Sequence, residues 1–339
     1  MKKITFLLIF LFPAILNAQK KYDETTEIKN GDQKLKSMDI KGAMQDFNAA
    51  LKLDSNNYVA WCRIADIHAL MNDVPGAIED YDKALRLKPD FALAFANRGG
   101  VKAKTGNYAL ALDDFDKAVQ IDQNNSDFLV SRGSLRTIVG NFDGGIRDLN
   151  RAIEINPENM SAYRNRGTAK YYTQDYKGAI EDFTKVIEKN PKDTSVFNIR
   201  GMTRYYNKDY SGAISDFKAS IELDPTYPDV YFYDGMVKQD LGMYEEAIKS
   251  YNKALSLDPA YADAYNNRGL CRMIMKDYPN AIKDYNKAIA ENPKSGNAYF
   301  NRAELYRQTE RIEDACADWK KALENGNVKA KEMIDKYCK

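Results

Sequence analysis

The chain is 339 residues long and carries 50 basic side chains against 49 acidic ones, for a net charge of +1. That balance provides no field to gather nucleic acid or anionic lipid, and the 29% charged fraction reads as the solvated face of helices. The one histidine, His68, has no second histidine or paired cysteines to complete a metal or catalytic site, so it reads as a tolerated helix residue. No phosphate loop, cofactor motif or catalytic constellation stands out, and an enzyme is not expected. At the N-terminus, Lys2-Lys3, the apolar run Ile4 to Leu16 and Asn17-Ala18-Gln19 read as a signal peptide over 1–18, with a short linker at 19–23. The apolar run holds 13 residues and Pro13, short of the roughly 18–20 that span a bilayer. The mature chain is therefore expected to lack a membrane span and to lie in the periplasm or outside the cell. A retained anchor is the other reading, because Leu16 is bulky for a cleavage site.

From Glu24 to Lys329 the chain is a repeat of period 34, in nine copies without an insertion. With repeats beginning at 24, 58, 92, 126, 160, 194, 228, 262 and 296, the eighth residues include Gly99, Gly133, Gly167, Gly201, Gly235 and Gly269. The twentieth residue is Ala or Gly throughout, and four residues later comes a large ring such as Phe47, Phe183, Tyr251 or Trp319. The fourth repeat is the exception, with Gly144-Gly145 opening its second helix and Leu149 in the ring position. Glycine there is expected to loosen that helix. Prolines such as Pro157, Pro191, Pro225 and Pro259 stop the second helices.

These residues resemble the tetratricopeptide repeat, over about nine-tenths of the chain; with the signal segment, the chain looks like an exported bacterial type. The resemblance implies an all-α, right-handed superhelical solenoid of nine helix pairs over 24–329, whose first helices line a concave groove. A capping helix at 328–339 should close it, with Met333, Ile334 and Tyr337 as its apolar stripe. The resemblance also implies protein or peptide partners without catalysis. In the family, the second, fifth, ninth, twelfth and thirteenth residues tend to face the groove. Here they include Arg164, Thr168, Tyr171 and Tyr172 in the fifth repeat, then Asn198, Met202, Tyr205 and Tyr206 in the sixth. The seventh supplies Phe232 and Met236, and the eighth Asn266, Leu270, Met273 and Ile274. Rings and methionines with interspersed amides suit adaptable peptide binding, with the large side chains as solvent-facing anchors.

Two further patterns are independent of the groove. The seventh residue is arginine in six repeats, and the residue before the ring is aspartate in eight. The seventh repeat alone has Asp234 and Ser250 in those places, so arginine and aspartate of one repeat are expected to face each other. Cys316 and Cys338 lie equally far from the turn Asn325-Gly326-Asn327, which makes a disulfide across a helical hairpin plausible; two small buried residues are the alternative. The function expected is an exported adaptor binding a peptide or helix in the groove. The alternative is a scaffold subunit of an envelope or secretion assembly that uses its convex face and ends.

Overall fold

The computed structural model describes residues 25–338, so the signal peptide and linker expected at 1–23 lie outside the described residues. Every regular element among them is an α-helix. Nine pairs follow one another: α1 (Thr26–Lys36) with α2 (Ile40–Leu53), α3 (Tyr58–Leu70) with α4 (Val74–Leu87), α5 (Ala92–Lys104) with α6 (Tyr108–Ile121), and α7 (Ser126–Ile138) with α8 (Phe142–Ile155). Then come α9 (Met160–Tyr172) with α10 (Tyr176–Lys189), α11 (Thr194–Tyr206) with α12 (Tyr210–Leu223), and α13 (Pro228–Asp240) with α14 (Tyr244–Leu257). The last pairs are α15 (Ala262–Ile274) with α16 (Tyr278–Glu291) and α17 (Gly296–Gln308) with α18 (Ile312–Glu324), before the terminal α19 (Ala330–Tyr337). The helices form two compact bodies, one ending at Lys189 and the other beginning at Asn190.

Each pair closes around the small eighth residue. A Cβ built on Gly201 would come within 2.6 Å of the Phe217 ring, and one on Gly167 within 2.9 Å of Phe183. The rings are wholly buried, so glycine is what lets the helices approach this closely. The fourth repeat reaches the same closeness by other means. A Cβ on Gly145 would meet Thr137 Oγ1 at 2.5 Å and the Gly133 carbonyl at 2.8 Å, and Leu149 is fully buried. Leu149 packs against Gly133 in the place the ring holds elsewhere.

The turn inside each pair has one conformation. Its central residue is left-handed in all nine: Gly106, Gly140 and Gly242, but also Met38, Asn72, Gln174, Lys208, Lys276 and Glu310. The amide of the next residue then reaches five residues back, as from Asn107 to the Lys102 carbonyl at 2.9 Å, which closes the first helix. A side chain in this conformation costs about 1–2 kcal/mol, whereas glycine costs about 0.5–1 in lost chain entropy. Gln174→Gly is therefore expected to raise stability by about 0.5 kcal/mol and Gly140→Ala to lower it by about 1. Thermal melts of the two variants check both signs.

Helix starts are capped by side chains. Asp39, Asp73, Asn141 and Asp209 accept from Gly42, Gly76, Gly144 and Gly212 at the second helices. Asn57, Asn125, Asn159 and Ser295 cap first helices in the same way. At α5, α11, α13 and α15 this cap bond is missing; Phe91, Tyr227 and Tyr261 put rings in the capping position of α5, α13 and α15. Each loss costs its helix about 1 kcal/mol.

The arginine ladder pairs as its joint exception implied. Arg166 grips Asp182 with Nε at 2.9 Å and Nη2 at 2.6 Å, and Lys170 meets the same carboxylate at 3.0 Å. Arg98–Asp114, Arg132–Asp148, Arg200–Asp216, Arg268–Asp284 and Arg302–Asp318 repeat the grip. In Arg98, Arg132, Arg166, Arg268 and Arg302 the remaining nitrogen turns back to the previous repeat's second helix, reaching Asp82, Asp116, Asn150, Asn252 and Asn286. Each such arginine thus holds its own pair together and clasps the neighbour behind it. In the seventh repeat Asp234 takes Lys238 and Ser250 of its own pair. His68 fills the second-base position of the second repeat, its Nδ1 3.0 Å from Asp80.

Helix α19 packs Met333, Ile334 and Tyr337 onto the last pair, and Tyr337 stacks on Trp319 at 5.7 Å between ring centroids. A Cys316–Cys338 disulfide spans 22 residues, with the Cα atoms 5.6 Å apart. Eight residues make a poor helix alone, so the bridge supplies much of this element's stability. Cys338→Ser is expected to cost it about 3 kcal/mol in the chain-entropy picture. Protease susceptibility of the last residues, with and without dithiothreitol on the parent protein, measures the effect.

Candidate interaction surface

The first helices present different surfaces in the two bodies. In the first, α9 carries Arg164, Tyr171 and Tyr172. Tyr172 is 41% exposed, stacks on Phe142 at 5.6 Å and meets Tyr171 edge-on at 5.5 Å. Thr168 is buried, its hydroxyl donating to the Arg164 carbonyl at 3.0 Å.

In the second body, α11 carries the same tyrosine pair. Tyr206 is 43% exposed and lies edge-on to Tyr205 at 5.2 Å, while the Tyr205 hydroxyl donates to Asp240 of α13 at 2.8 Å. Burial, then this bond to Asp240, raises the Tyr205 phenol well above its usual range. Met202 and Met236 are half-buried against the core of this body. Leu270 is half-buried, and Ile274 is exposed.

Three of the expected contact residues are engaged within the fold. Phe232 is buried, its ring 4.9 Å from Tyr261, 5.4 Å from Tyr233 and 5.9 Å from Tyr251; α14 and the start of α15 close over it, so it belongs to the core and does not face solvent as expected. Met273 packs beneath Tyr285, whose hydroxyl lies 3.8 Å from its sulfur. Asn266 is buried and committed, accepting from Asn301 at 2.9 Å and donating to Asn267 at 3.2 Å. Asn198 is buried as well, but its Oδ1 has no hydrogen-bond partner among the described residues.

A further group was not singled out from the sequence. Tyr227 donates to Asp229 at 2.8 Å, the Tyr261 hydroxyl hydrogen-bonds the same carboxylate, and Tyr233 and Asp263 lie alongside. The signal was present at the last residue of the repeat, where tyrosine twice replaces a capping asparagine, aspartate or serine.

Among the described residues no three acids, histidines or cysteines gather as a metal site would require. None of the helices there is long and apolar enough to cross a membrane. What the first helices offer is aromatic and thioether surface with a few polar atoms, which is chemistry for binding.

Family profiles described as tetratricopeptide repeat match residues 58–91 and 262–295, 92–125, 139–193 and 164–228, and 284–317, and a TPR repeat profile matches 235–273. No curated protein matches the chain. Among solved structures it is similar to the C-terminal part of a TPR repeat-containing protein from Cytophaga hutchinsonii, at 21% identity over 70% of this chain and 98% of that one, with a TM-score of 0.57. A tetratricopeptide repeat protein from Parabacteroides merdae is 18% identical over 72% of this chain and 97% of that one, with a TM-score of 0.52. The Cut9–Hcn1 structure of the APC/C is 14% identical over 88% of this chain and 59% of that one, at 0.57. These last likenesses speak to fold alone. With the helix pairs, the small-residue and ring pattern and the matching profiles in agreement, the chain belongs to the tetratricopeptide repeat family.

Proposed function

We propose that this protein is an exported adaptor that captures a segment of a partner protein, extended or helical, on the surface of its first helices. Tetratricopeptide repeats mediate protein–protein interaction, and nothing points to catalysis. One observation carries the groove reading: Tyr172 and Tyr206, at the same repeat position, stay more than two-fifths exposed although each sits beside a second tyrosine. Aromatic surface left open in this way suits a partner's apolar side chains. Export is supported by the Cys316–Cys338 bridge, which persists in an oxidising compartment, together with the composition of residues 1–18.

The scaffold reading has its own support in Leu241, Met243 and Met275, exposed at the turns of the seventh and eighth repeats. A Tyr172→Ala/Tyr206→Ala variant separates the two. Under the groove reading it should bind the partner segment about thirtyfold more weakly, some 2 kcal/mol, while melting as the parent does. Titration of a labelled partner peptide measures this. Unchanged affinity, with loss of assembly in Leu241→Lys/Met275→Lys, supports the scaffold.

A further inference from the structure

Repetition provides a control: five of the nine first helices start with a side-chain cap bond, and the four that do not can be compared with them. Two of the four are α13 and α15. A ring stands in the capping position here as Phe91 does at α5, but only these two rings are tyrosines, and both helices begin with an aspartate at their second residue, Asp229 and Asp263. The rings of Tyr261 and Tyr227 pack on the core of the second body, while their hydroxyls gather at Asp229; a place that trades a local stabilising rule for a polar cluster is where function is to be sought.

We infer that this surface, formed by Asp229, Asp263, Tyr227, Tyr233, Tyr261 and Asn198, receives the cationic side chain of a lysine or arginine on the captured segment. The inference rests on the groove reading and specifies its ligand. Asp229 accepts hydrogen bonds from the neutral hydroxyls of Tyr227, at 2.8 Å, and Tyr261. Such bonds fix the carboxylate in place and leave its whole charge uncompensated. Neither Asp229 nor Asp263 forms an ion pair among the described residues, in a chain whose ladder aspartates are gripped by arginine or lysine. Tyr261 and Phe232 lie 4.9 Å apart at the edge of the core, and Tyr233, half-buried, meets Phe232 edge-on at 5.4 Å. Ring faces beside fixed carboxylates are the surroundings a desolvated cation prefers.

Asn198 points to the same ligand. In the eighth repeat, Asn266 holds the corresponding place and accepts from Asn301, 35 residues on. The residue 35 beyond Asn198 is Tyr233, and the Asn198 Oδ1 is left buried with no donor. An ammonium or guanidinium group supplies that donor; a carboxylate or phosphate cannot. The electrostatics agree. Burial and then Asp229 push the Tyr233 phenol up to about 12, and the charges raising Tyr227 and Tyr261 after burial are likewise acidic.

The test selects twelve-residue peptides from a random displayed library on the full chain. Enriched peptides are expected to share one lysine or arginine position. A synthetic copy should then lose about tenfold or more in affinity toward Asp229→Asn/Asp263→Asn. Exchanging that peptide residue for norleucine should lower affinity for the parent and leave the variant indifferent. Should the double variant misfold, Asp263→Asn at its exposed position carries the same comparison. Enriched peptides with no shared basic residue, or equal affinity for parent and variant, overturn the inference and leave the groove reading standing. Failure to enrich any peptide overturns both.

Discussion

Asp182→Ala is expected to destabilise the first body by about 3–5 kcal/mol, because it strands two cations that were brought together around one buried carboxylate. Asp182 is 2% exposed. Its loss removes both bonds from Arg166 and the contact from Lys170 at once. Arg166 would still be anchored to Asn150 and so could not swing out to solvent without releasing the fourth repeat. Replacing the whole cluster, as Arg166→Met/Lys170→Met/Asp182→Leu, should recover most of the loss, since such a network contributes register more than net stability. Urea titrations of the three proteins decide this. If Asp182→Ala costs no more than a surface substitution, the ladder is ornamental.

Phe232→Ala should cost about 3–5 kcal/mol, the penalty of a cavity where a buried ring has been removed. Tyr206→Ala should cost about 1 kcal/mol or less, since much of its surface is already in water. Phe232 touches three tyrosine rings and closes the core of the second body. The contrast matters for any binding study, because a Phe232 variant that fails to bind would report unfolding. Denaturant midpoints for the two variants settle the assignment before any ligand is added.

The helix pairs were legible in the sequence because the determinants are local and recur. Gly201 and Phe217 sit at fixed spacing, and one in-phase copy confirms another. The ladder was legible through its exception, since Asp234 and Ser250 depart together. Groove residues were less so. Family position places Phe232 and Tyr206 alike toward the concave side, but burial depends on what the next repeat brings over them. Tyr261 covers Phe232, and its arrival is a long-range event that no helical period encodes. The turn geometry was missed for a different reason: only three of nine left-handed positions are glycine, so the conformation is imposed by the helix pair on residues such as Lys208 and Glu310.

The backward clasp of the ladder arginines also sets where the chain can come apart. Along a stack of nearest neighbours, cooperativity is only as long as its unbroken couplings. The seventh repeat presents Asp234 where a clasp should start, and Lys238 and Ser250 keep it within its own pair. The stacking of Phe217 on Tyr233, 6.2 Å apart, is among the contacts left to span that junction. Pulled from its ends, the second body should therefore yield in two steps, with the rupture between the sixth and seventh repeats. A partner gripping both sides of that seam would act as a splint, making the protein mechanically tougher when loaded than when empty.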